Sequence, residues 1–407
     1  MPLKIGIIRE GKSPPDARVP LIPVQCERLN RFSELLIKVQ PSPIRCFTDE
    51  EYRNCKVPLS EDLSDCDILL GVKEVPPHLL IANKTYCFFS HTIKAQPHNR
   101  GLLQTILDKN ITLMDYELMV DRQDQRVIAF GFFAGMVGAH NAVYTFGKRT
   151  RTFDLPRLYT LPNYDAVFPY YQALQLPPLK IVVTGTGRVG QGAQKTLIDM
   201  GFVEVSPKDF LNESFQYPIF TTLRSSDYVR SNLERPFNIT DYYRDPSTYV
   251  MEFIPFYQTA DIFINCIFWD NRAPVFFTQK EMASEDFHIQ VIADVTCDIA
   301  PMSSIPSTLR ASSIKDPVYG FNPVTGKEIA PFQSDGIDIM AVDNLPGEIP
   351  RDASESFGNQ IIAHLIPALL DQKEDLFIQK ATIAKEGQLN PIYPHLIPYI
   401  QGLKDPS

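Results

Sequence analysis

The sequence lacks the features of a membrane, secreted or nucleic-acid-binding protein. Its 407 residues contain no apolar run approaching the roughly 18 residues that cross a bilayer. Met1–Gly6 has no apolar segment of a secretory signal. The net charge of −9 argues against a nucleic acid or an anionic membrane surface as partner. We therefore expect a cytoplasmic protein that binds small molecules and neither nucleic acid nor membrane.

Neither cysteine nor proline forms a pattern that would define a disulfide-linked, metal-binding or fibrous protein. The seven cysteines are an odd number without CxxC or metal-ligand spacing, so we expect buried free thiols and no metal site. The 34 prolines form no collagen repeat and no PxxP tract. Their share of about 8%, against a usual share of about 5%, predicts breaks between short elements.

What the chain does contain is a series of apolar, β-branched segments separated by segments with helical spacing. The predicted strands are Lys4–Ile8, Cys66–Val72, Tyr86–Phe89, Ile111–Met114, Leu179–Thr184, Ala260–Cys266 and Gln290–Val295. Long helical regions are predicted at Gly131–Lys148 and Ala353–Leu370. Strands that alternate with helices favour parallel sheets covered on both faces.

These patterns predict an α/β fold with two Rossmann-like, doubly wound domains, parallel sheets and an interdomain cleft. We expect residues 1–145 and 336–407 to form a catalytic domain that binds substrate, and residues 146–335 to form a dinucleotide-binding domain. Ligands in such folds lie at the carboxyl ends of the strands. The loops after the strands are therefore where the chemistry is expected.

A glycine-rich loop follows the strand that begins at Leu179. It reads Gly185-x-Gly187-x-x-Gly190 and opens a helical segment, which is the context that a dinucleotide-binding loop requires. Glycine permits the tight turn and close backbone approach to a pyrophosphate. The alternative is a tight turn with a purely structural purpose. The expected cofactor-binding residues of this loop are Gly185, Thr186, Gly187, Arg188, Val189 and Gly190.

The choice between NAD and NADP stays open at this point. An acid at the end of the next strand would bind the ribose 2′-hydroxyl and favour NAD, but Glu204 is placed within that strand rather than at its end. Ser206 at the strand tip and Arg224 further on leave room for a 2′-phosphate. Ser206 and Arg224 are therefore added to the expected cofactor-binding residues.

Two titratable side chains follow predicted strands of the first domain. Lys73 comes directly after Val72, and His91 comes shortly after Phe89. Such a pair could exchange protons with a substrate amine or imine, because a lysine among apolar neighbours can titrate nearer neutrality and histidine already does. The alternatives are a surface lysine in a salt bridge and a solvent-facing histidine.

Arg18 and Arg126 lie in loops and are candidates for binding a carboxylate substrate. Arg18 stands in Asp16–Leu21 after the first strand, and Arg126 precedes another apolar stretch. The guanidinium fork suits bidentate carboxylate binding. An ordinary loop arginine is the alternative for each.

Together these motifs resemble the lysine-forming saccharopine dehydrogenase and lysine–2-oxoglutarate reductase family, within the alanine dehydrogenase and transhydrogenase superfamily. The resemblance covers almost the whole chain. The matching segments are Arg9-Glu10, Arg18-x-Pro20-Leu21-x-Pro23, Gly71–Pro76, Phe88–Gln96, Asp115–Glu117, Arg126–Gly131, Gly185–Gly187, Gly192–Gln194, Ile264–Trp269 and Asp343–Pro346.

The resemblance implies a reductive amination. Lysine and 2-oxoglutarate would condense to an imine, which a nicotinamide hydride reduces to saccharopine, with the reverse oxidation restoring both. The family also implies roles for six residues. Lys73 and His91 would be the acid–base pair, Arg18 and Arg126 would contact substrate carboxylates, Glu117 would tune the pair, and Asp343 would support the site.

Alternatives to this reading stay open. An alanine-dehydrogenase-like enzyme acting on a small 2-oxo acid would use the same Arg18, Lys73 and His91. A non-catalytic NAD(P)-binding sensor is the other alternative. We expect no fused second dehydrogenase after the reductase-like region, and a monomer or a homodimer.

Overall fold

The structure, a computed structural model, describes residues 2–233, 235–371 and 376–402. The chain divides into two compact units. The first comprises Met1–Ala129 with Pro350–Ser407, and the second comprises Phe130–Ile349.

Most strands are short and lie where runs of apolar residues become buried. Those of the described residues are β1 (Leu3–Ile7), β2 (Leu35–Val39), β3 (Ile68–Leu70), β4 (Thr85–Cys87), β5 (Thr112–Met114), β6 (Lys180–Thr184), β7 (Val203–Glu204), β8 (Ile219–Leu223), β9 (Val229–Ser231), β10 (Tyr249–Met251), β11 (Ile262–Asn265), β12 (Val291–Asp294), β13 (Val318–Asn322), β14 (Lys327–Ile329), β15 (Ile337–Met340), β16 (Thr382–Lys385) and β17 (Gln388–Leu389).

The helices are mostly short as well. Those described are α1 (Pro23–Leu29), α2 (Asp49–Asn54), α3 (Arg100–Asp108), α4 (Gly131–Thr150), α5 (Phe168–Ala173), α6 (Arg188–Asp199), α7 (Pro207–Asn212), α8 (Ser225–Tyr228), α9 (Ile239–Arg244), α10 (Ile254–Tyr257), α11 (Gln279–Met282), α12 (Pro350–Gln360), α13 (Ile366–Leu370), α14 (Leu376–Ala381) and α15 (Leu396–Ile400). A π-helical turn, Ile361–Leu365, joins α12 to α13. In the described part of the chain, no helix combines the length and apolarity needed to cross a bilayer.

The first unit contains a seven-stranded sheet in the order β17-β16-β5-β4-β3-β1-β2. Strands β1 to β5 are parallel, whereas β16 and β17 join antiparallel. The chain builds β2 on one side of β1 and then continues with β3 on the other. The carboxyl ends of β1 and β3 therefore form a topological switch point, the usual ligand position in open α/β sheets.

The second unit contains an eight-stranded sheet in the order β14-β13-β15-β12-β11-β6-β8-β7. Successive residues of β6 enter different cores, with Ile181 and Val183 in one and Val182 in the other. Both faces of the sheet are thus covered, as the prediction of doubly wound units requires. The switch point of this sheet lies at the carboxyl ends of β6 and β11, on the side where the glycine loop begins.

The eight-stranded sheet is parallel apart from an antiparallel hairpin at one edge. Strand β13 runs antiparallel to β15, and β14 runs antiparallel to β13. A tight turn allows this hairpin, because the Asn322 side chain accepts the N–H groups of Val324 and Thr325 while Gly326 takes a positive φ of 67°.

Helix α4 confirms the long helix expected at Gly131–Lys148 and belongs to the second unit. It approaches α6 so closely that a Cβ on Gly135 would lie 1.8 Å from the Val189 carbonyl oxygen, and one on Gly192 would lie 1.9 Å from that of Phe132. This packing explains why the first unit ends at Ala129, before α4, rather than at residue 145. The second boundary likewise falls at 349/350 rather than 335/336.

Candidate functional site

Three predicted catalytic residues follow neighbouring strands of the first unit. Lys73 comes after β3, His91 after β4 and Glu117 after β5. These strands pair in parallel, β3 with β4 and β4 with β5, so their carboxyl ends share one edge of the sheet. In each case a run of buried apolar residues forms the strand, and the polar side chain follows where that run ends.

The His91 imidazole contacts a carboxylate from the neighbouring strand end. His91 Nδ1 lies 2.5 Å from Glu74 Oε1, and Lys12 Nζ lies 2.8 Å from Glu74 Oε2. Burial opposes ionisation of Glu74, but the hydrogen bonds from His91 and Lys12 outweigh it and lower the pKa of Glu74 to about 2. Glu74 is therefore a carboxylate at neutral pH. His91 itself has a left-handed backbone, with φ 53°, and its ring stacks on Phe89.

The Lys73 side chain is half-buried beside a buried ion pair. Burial first, and then the positive charge of Arg18, lowers the pKa of Lys73 below the usual lysine range. Among the residues that the structure describes, none accepts a hydrogen bond from the Lys73 ammonium.

Glu10, at the end of β1, holds the backbone that carries Lys73. Its two carboxylate oxygens accept the N–H groups of Val72, at 2.7 Å, and of Lys73, at 2.9 Å. Burial raises the pKa of Glu10 to about 7 against an ordinary value of 4.5, although both hydrogen bonds favour the ionised form. This contact links the two strand ends of the switch point.

Arg18 is buried and forms a two-pronged ion pair with Asp16. Arg18 Nε lies 2.9 Å from Asp16 Oδ1, and a terminal nitrogen lies 2.6 Å from Oδ2. Burial opposes ionisation of Asp16, but the Arg18 charge and hydrogen bonds outweigh it and hold the Asp16 pKa well below its usual range. Arg18 therefore brings a fixed positive charge to Lys73.

Glu117 lies between two cations. Its Oε1 atom is 2.9 Å from an Arg126 terminal nitrogen and 3.2 Å from Lys94 Nζ. Burial opposes ionisation of Glu117, but these two charges outweigh it and lower its pKa. The other oxygen, Oε2, is buried and accepts no hydrogen bond from any described residue. The structure thus brings the predicted Glu117 and Arg126 into direct contact.

A buried carboxylate under this cluster ties the ends of β4 and β5 together. Asp115 accepts the N–H of Ser90 at 2.9 Å, its hydroxyl at 2.6 Å, and the N–H of Glu117 at 2.8 Å. The two loops that carry His91 and Glu117 are therefore anchored to the same side chain.

The glycine loop of the second unit fits a dinucleotide. Gly185 has a positive φ of 94°, and a Cβ there would lie 2.7 Å from the Cys266 carbonyl oxygen. A Cβ on Gly190 would lie 1.8 Å from the Gly185 carbonyl oxygen, whereas Gly187 faces open space. The glycines thus close the turn against β11 and pack α6 on the loop, while the middle one leaves backbone open to a ligand.

The other residues predicted to hold the cofactor surround this turn. Thr186 and Arg188 are exposed and Val189 is half-buried, with Arg188 as the first residue of α6. Arg224 directly follows β8 and is exposed. Ser206 follows β7, an edge strand that does not pair with β6, and its hydroxyl caps α7 through Asp209. The structure therefore places Arg224 beside the loop's own strand and Ser206 one strand further away.

Asp343 lies in the second unit, shortly after β15, with an exposed side chain. The predicted substrate-binding residues therefore belong to different units, with Arg18 and Arg126 in the first. His140 is buried on α4 and hydrogen-bonded to the Tyr171 hydroxyl and the Pro156 carbonyl.

Several residues of the site were not among the predicted ones. Glu74 could have been predicted from the sequence, because it is the charged neighbour of Lys73 at a strand end. The others contact predicted residues, or in the case of Lys12 contact Glu74, through loops whose course the sequence does not reveal. These residues are Glu10, Lys12, Asp16, Glu74, Lys94 and Asp115.

Known proteins resemble this chain in an N-terminal domain, in sequence over most of the chain, and in fold. Residues 6–137 match the family model described as "Alanine dehydrogenase/PNT, N-terminal domain". The chain is 32% identical to the alpha-aminoadipic semialdehyde synthase of Arabidopsis thaliana, over 96% of this chain and 41% of that protein. It is 26% identical to the saccharopine dehydrogenase (NAD(+), L-lysine-forming) of Emericella nidulans, over 92% of this chain and 96% of that protein. The chain spans less than half the length of the semialdehyde synthases that it matches.

Solved structures share the fold. An L-alanine dehydrogenase superposes with a TM-score of 0.66 at 16% identity, covering 98% of this chain and 99% of that one. The transhydrogenase of Sinorhizobium meliloti superposes with a TM-score of 0.57 at 14% identity, covering 95% and 99%.

The fold is that of the alanine dehydrogenase and transhydrogenase structures, and the first third of the chain matches the alanine dehydrogenase/PNT N-terminal domain. Over more than nine-tenths of its length, the chain is similar in sequence to alpha-aminoadipic semialdehyde synthases and to a saccharopine dehydrogenase.

Proposed function

We propose that this chain is a lysine-forming saccharopine dehydrogenase, which interconverts saccharopine with lysine and 2-oxoglutarate. The observation that carries the proposal is the arrangement at the strand ends of the first unit. A half-buried lysine, a histidine bound to a carboxylate and an Arg126–Glu117 pair follow three adjacent parallel strands. The glycine loop of the same chain would hold NAD or NADP.

The reaction needs proton transfers at several points. Amine and ketone condense to a carbinolamine, which loses water to give an imine before reduction. Each of these steps moves a proton near neutral pH and is accelerated by a positioned acid or base. A bound nicotinamide cofactor supplies or accepts the hydride. The protein's own residues supply the protons and fixed charges.

Lys73 would exchange a proton with the substrate nitrogen or the carbinolamine oxygen. Its lowered pKa makes the neutral amine accessible nearer to neutral pH than for an ordinary lysine, and Glu10 holds its backbone. A lysine in a surface salt bridge would have a carboxylate on its ammonium, and no described residue provides one here.

His91 would be the second proton carrier. With Glu74 at Nδ1, the tautomer that donates to the carboxylate leaves Nε2 as the ring nitrogen that exchanges a proton with substrate. The ionised Glu74 fixes the orientation of the His91 ring. In many catalytic sites a carboxylate orients a histidine ring in this way, by contacting the ring nitrogen that does not face the substrate.

Arg126 is better suited than Arg18 to contact a substrate carboxylate directly. The Arg126 side chain is 39% exposed. Arg18 is buried, and both its Nε atom and a terminal nitrogen contact the Asp16 carboxylate. We propose that Arg126 binds a carboxylate and that Arg18 acts through its charge on Lys73. Asp343 remains a proposed substrate-binding residue, because its carboxylate is exposed at the carboxyl end of β15.

The test is a spectrophotometric assay of NADPH and NADH oxidation with lysine plus 2-oxoglutarate, each component omitted in turn. The expected result is oxidation only when amine, oxo acid and reduced cofactor are all present. Faster oxidation with ammonia plus pyruvate would overturn the proposal in favour of an alanine-dehydrogenase-like activity. Cofactor binding without turnover of any amine and oxo acid would identify a sensor.

A further inference from the structure

Residues 91–96, the His91 turn, contain two left-handed residues that are not glycine. His91 has a φ of 53° and Ala95 a φ of 52°, and Thr92–Lys94 form a single 3₁₀ turn between them. Glycine adopts this conformation without strain, whereas other residues do so at a cost in free energy. Strained backbone of this kind persists where the surrounding structure holds it. The His91 turn therefore depends on contacts from other segments.

The start of the His91 turn is held from the strand ends. The Thr92 N–H donates to the Ser90 hydroxyl oxygen at 3.2 Å, and the two hydroxyl oxygens of Ser90 and Thr92 lie 2.8 Å apart. The Ser90 hydroxyl also lies 2.6 Å from Asp115 Oδ2. These contacts fix the first part of the turn, up to Thr92.

The rest of the turn is held by side chains from the other end of the chain. The Tyr399 hydroxyl donates to the Gln96 carbonyl oxygen at 2.6 Å, and His395 Nε2 lies 3.1 Å from the Ile93 carbonyl oxygen. A carbonyl oxygen only accepts, so Nε2 is the donor in the second contact. The two donors come 303 and 302 residues after their acceptors in the sequence.

Tyr399 can support the turn because its own side chain is packed. It lies on α15, three residues after Leu396, so that both side chains share one face of the helix. Both are buried in a core that also contains Leu103 of α3, and Ile93 and Ala95 of the His91 turn pack against that same core. The hydroxyl that reaches Gln96 is therefore presented from a fixed position.

We propose that Tyr399 and His395 are positioning residues for His91, because they hold its turn in the left-handed conformation at the carboxyl end of β4. They act through the Gln96 and Ile93 carbonyl groups and not through contact with the substrate. This inference rests on the proposed function, since it takes His91 as a proton carrier. Loss of either donor should slow proton transfer and leave cofactor binding unchanged, because the glycine loop belongs to the second unit.

The first measurement is hydrogen–deuterium exchange of the full chain, read by mass spectrometry on peptides that contain residues 91–99. Tyr399→Phe is compared with the matched control Tyr249→Phe. Tyr249 is also buried, and its hydroxyl also donates to a backbone carbonyl, that of Asn238 in the second unit. We expect Tyr399→Phe to speed exchange of these peptides by about threefold or more and Tyr249→Phe to leave it unchanged.

The same measurement tests the second donor. His395→Ala should speed exchange of the peptides that contain residues 91–99 by about twofold or more, because it removes the hydrogen bond to the Ile93 carbonyl. His395→Gln should restore the parental rate, since the glutamine amide nitrogen can donate in place of Nε2. Identical exchange in His395→Ala and the unmodified chain would overturn the role of His395.

The second measurement is steady-state turnover of saccharopine by the tyrosine variants. Tyr399→Phe should lower kcat about fivefold or more, with the cofactor's dissociation constant unchanged. Tyr249→Phe should keep the parental kcat. Each variant loses one bond from a hydroxyl to a carbonyl, so a purely structural role would give both the same kcat.

Two results would overturn the inference for Tyr399. They are equal exchange of the peptides in the two tyrosine variants and an equal kcat. Absence of saccharopine turnover in the unmodified chain would refute the proposed function instead. In that case, faster exchange in Tyr399→Phe than in Tyr249→Phe would still support the inferred hold on the His91 turn.

Discussion

His91 Nδ1 lies 2.5 Å from Glu74 Oε1, while Lys12 Nζ lies 2.8 Å from the other oxygen of the same carboxylate. One ionised side chain thus orients the imidazole and balances the charge of a lysine. This pair joins the ends of β3 and β4, the same two strand ends that carry Lys73 and His91.

Removal of the Glu74 charge should therefore impair turnover without abolishing it. Glu74→Gln keeps the shape but removes the carboxylate that orients the His91 ring, so we expect turnover of saccharopine to fall by roughly 10- to 100-fold. Initial rates between pH 5 and pH 10 measure this. Glu50→Gln, at an exposed residue of α2, is the control. An unchanged rate and profile would show that Glu74 does not act on His91.

Substitution of the two proton carriers should have larger effects. Lys73→Met and His91→Gln should each reduce turnover by roughly 10²-fold or more, because each removes a positioned acid or base. Cofactor binding should stay near normal, since neither residue belongs to the glycine loop. Lys385→Met and His78→Gln, at exposed positions of the same unit, are matched controls. Near-normal turnover in both test variants would contradict the assigned roles.

The third glycine of the cofactor loop should tolerate no side chain. In Gly190→Ala the new methyl group would meet the Gly185 carbonyl oxygen at 1.8 Å, and two backbone segments would have to separate. We expect a loss of roughly 3 kcal/mol or more in the free energy of unfolding. Gly101→Ala in α3, where nothing lies within 4 Å, should instead be neutral or stabilise by up to about 1 kcal/mol. Urea unfolding of both variants measures the contrast.

We expect Glu10 to make the free energy of unfolding depend on pH between 4.5 and about 7, where most carboxylates are already ionised. Its folded-state pKa of about 7 lies above the ordinary 4.5. The contribution of the protonated carboxyl is therefore fully present below pH 4.5 and is lost as the pH rises through 7. The shift corresponds to roughly 3 kcal/mol.

Glu10→Gln isolates that dependence, because glutamine does not titrate. The variant should be less stable than the parent at pH 5, because the hydroxyl oxygen of the protonated carboxyl can still accept one of the Val72 and Lys73 N–H groups, whereas the amide NH2 group cannot. The deficit should shrink as the pH rises to 8. Urea unfolding at pH 5, 6, 7 and 8 measures the difference in the free energy of unfolding. A deficit that is constant over this range would show that Glu10 does not titrate there.

Local sequence patterns predicted the elements and the strand ends that carry chemistry. Lys73 and His91 could be placed at one edge of a sheet because parallel strands collect their carboxyl ends on the same side. The glycine loop could be recognised because its three glycines, the preceding strand and the following helix are contiguous. The long helix α4 could be predicted from an uninterrupted run of small and apolar residues.

Contacts between distant segments could not be predicted in the same way. Glu74 is adjacent to Lys73 in the chain, yet its partner His91 is 17 residues away on the next strand and has a left-handed backbone. The Glu10 carboxylate, after β1, accepts hydrogen bonds from the Val72 and Lys73 N–H groups, after β3. Each contact depends on which strands become neighbours, and a periodic pattern carries no such information.

The absences in the sequence and its motifs therefore determined the α/β class, the glycine loop and the lysine and histidine at the strand ends. The tertiary structure alone decided that β8 and not β7 adjoins β6, which places Arg224 rather than Ser206 beside the loop. The physical reason is that apolar periodicity records whether a strand is buried. The side on which the strand joins its sheet is set by packing over the whole unit.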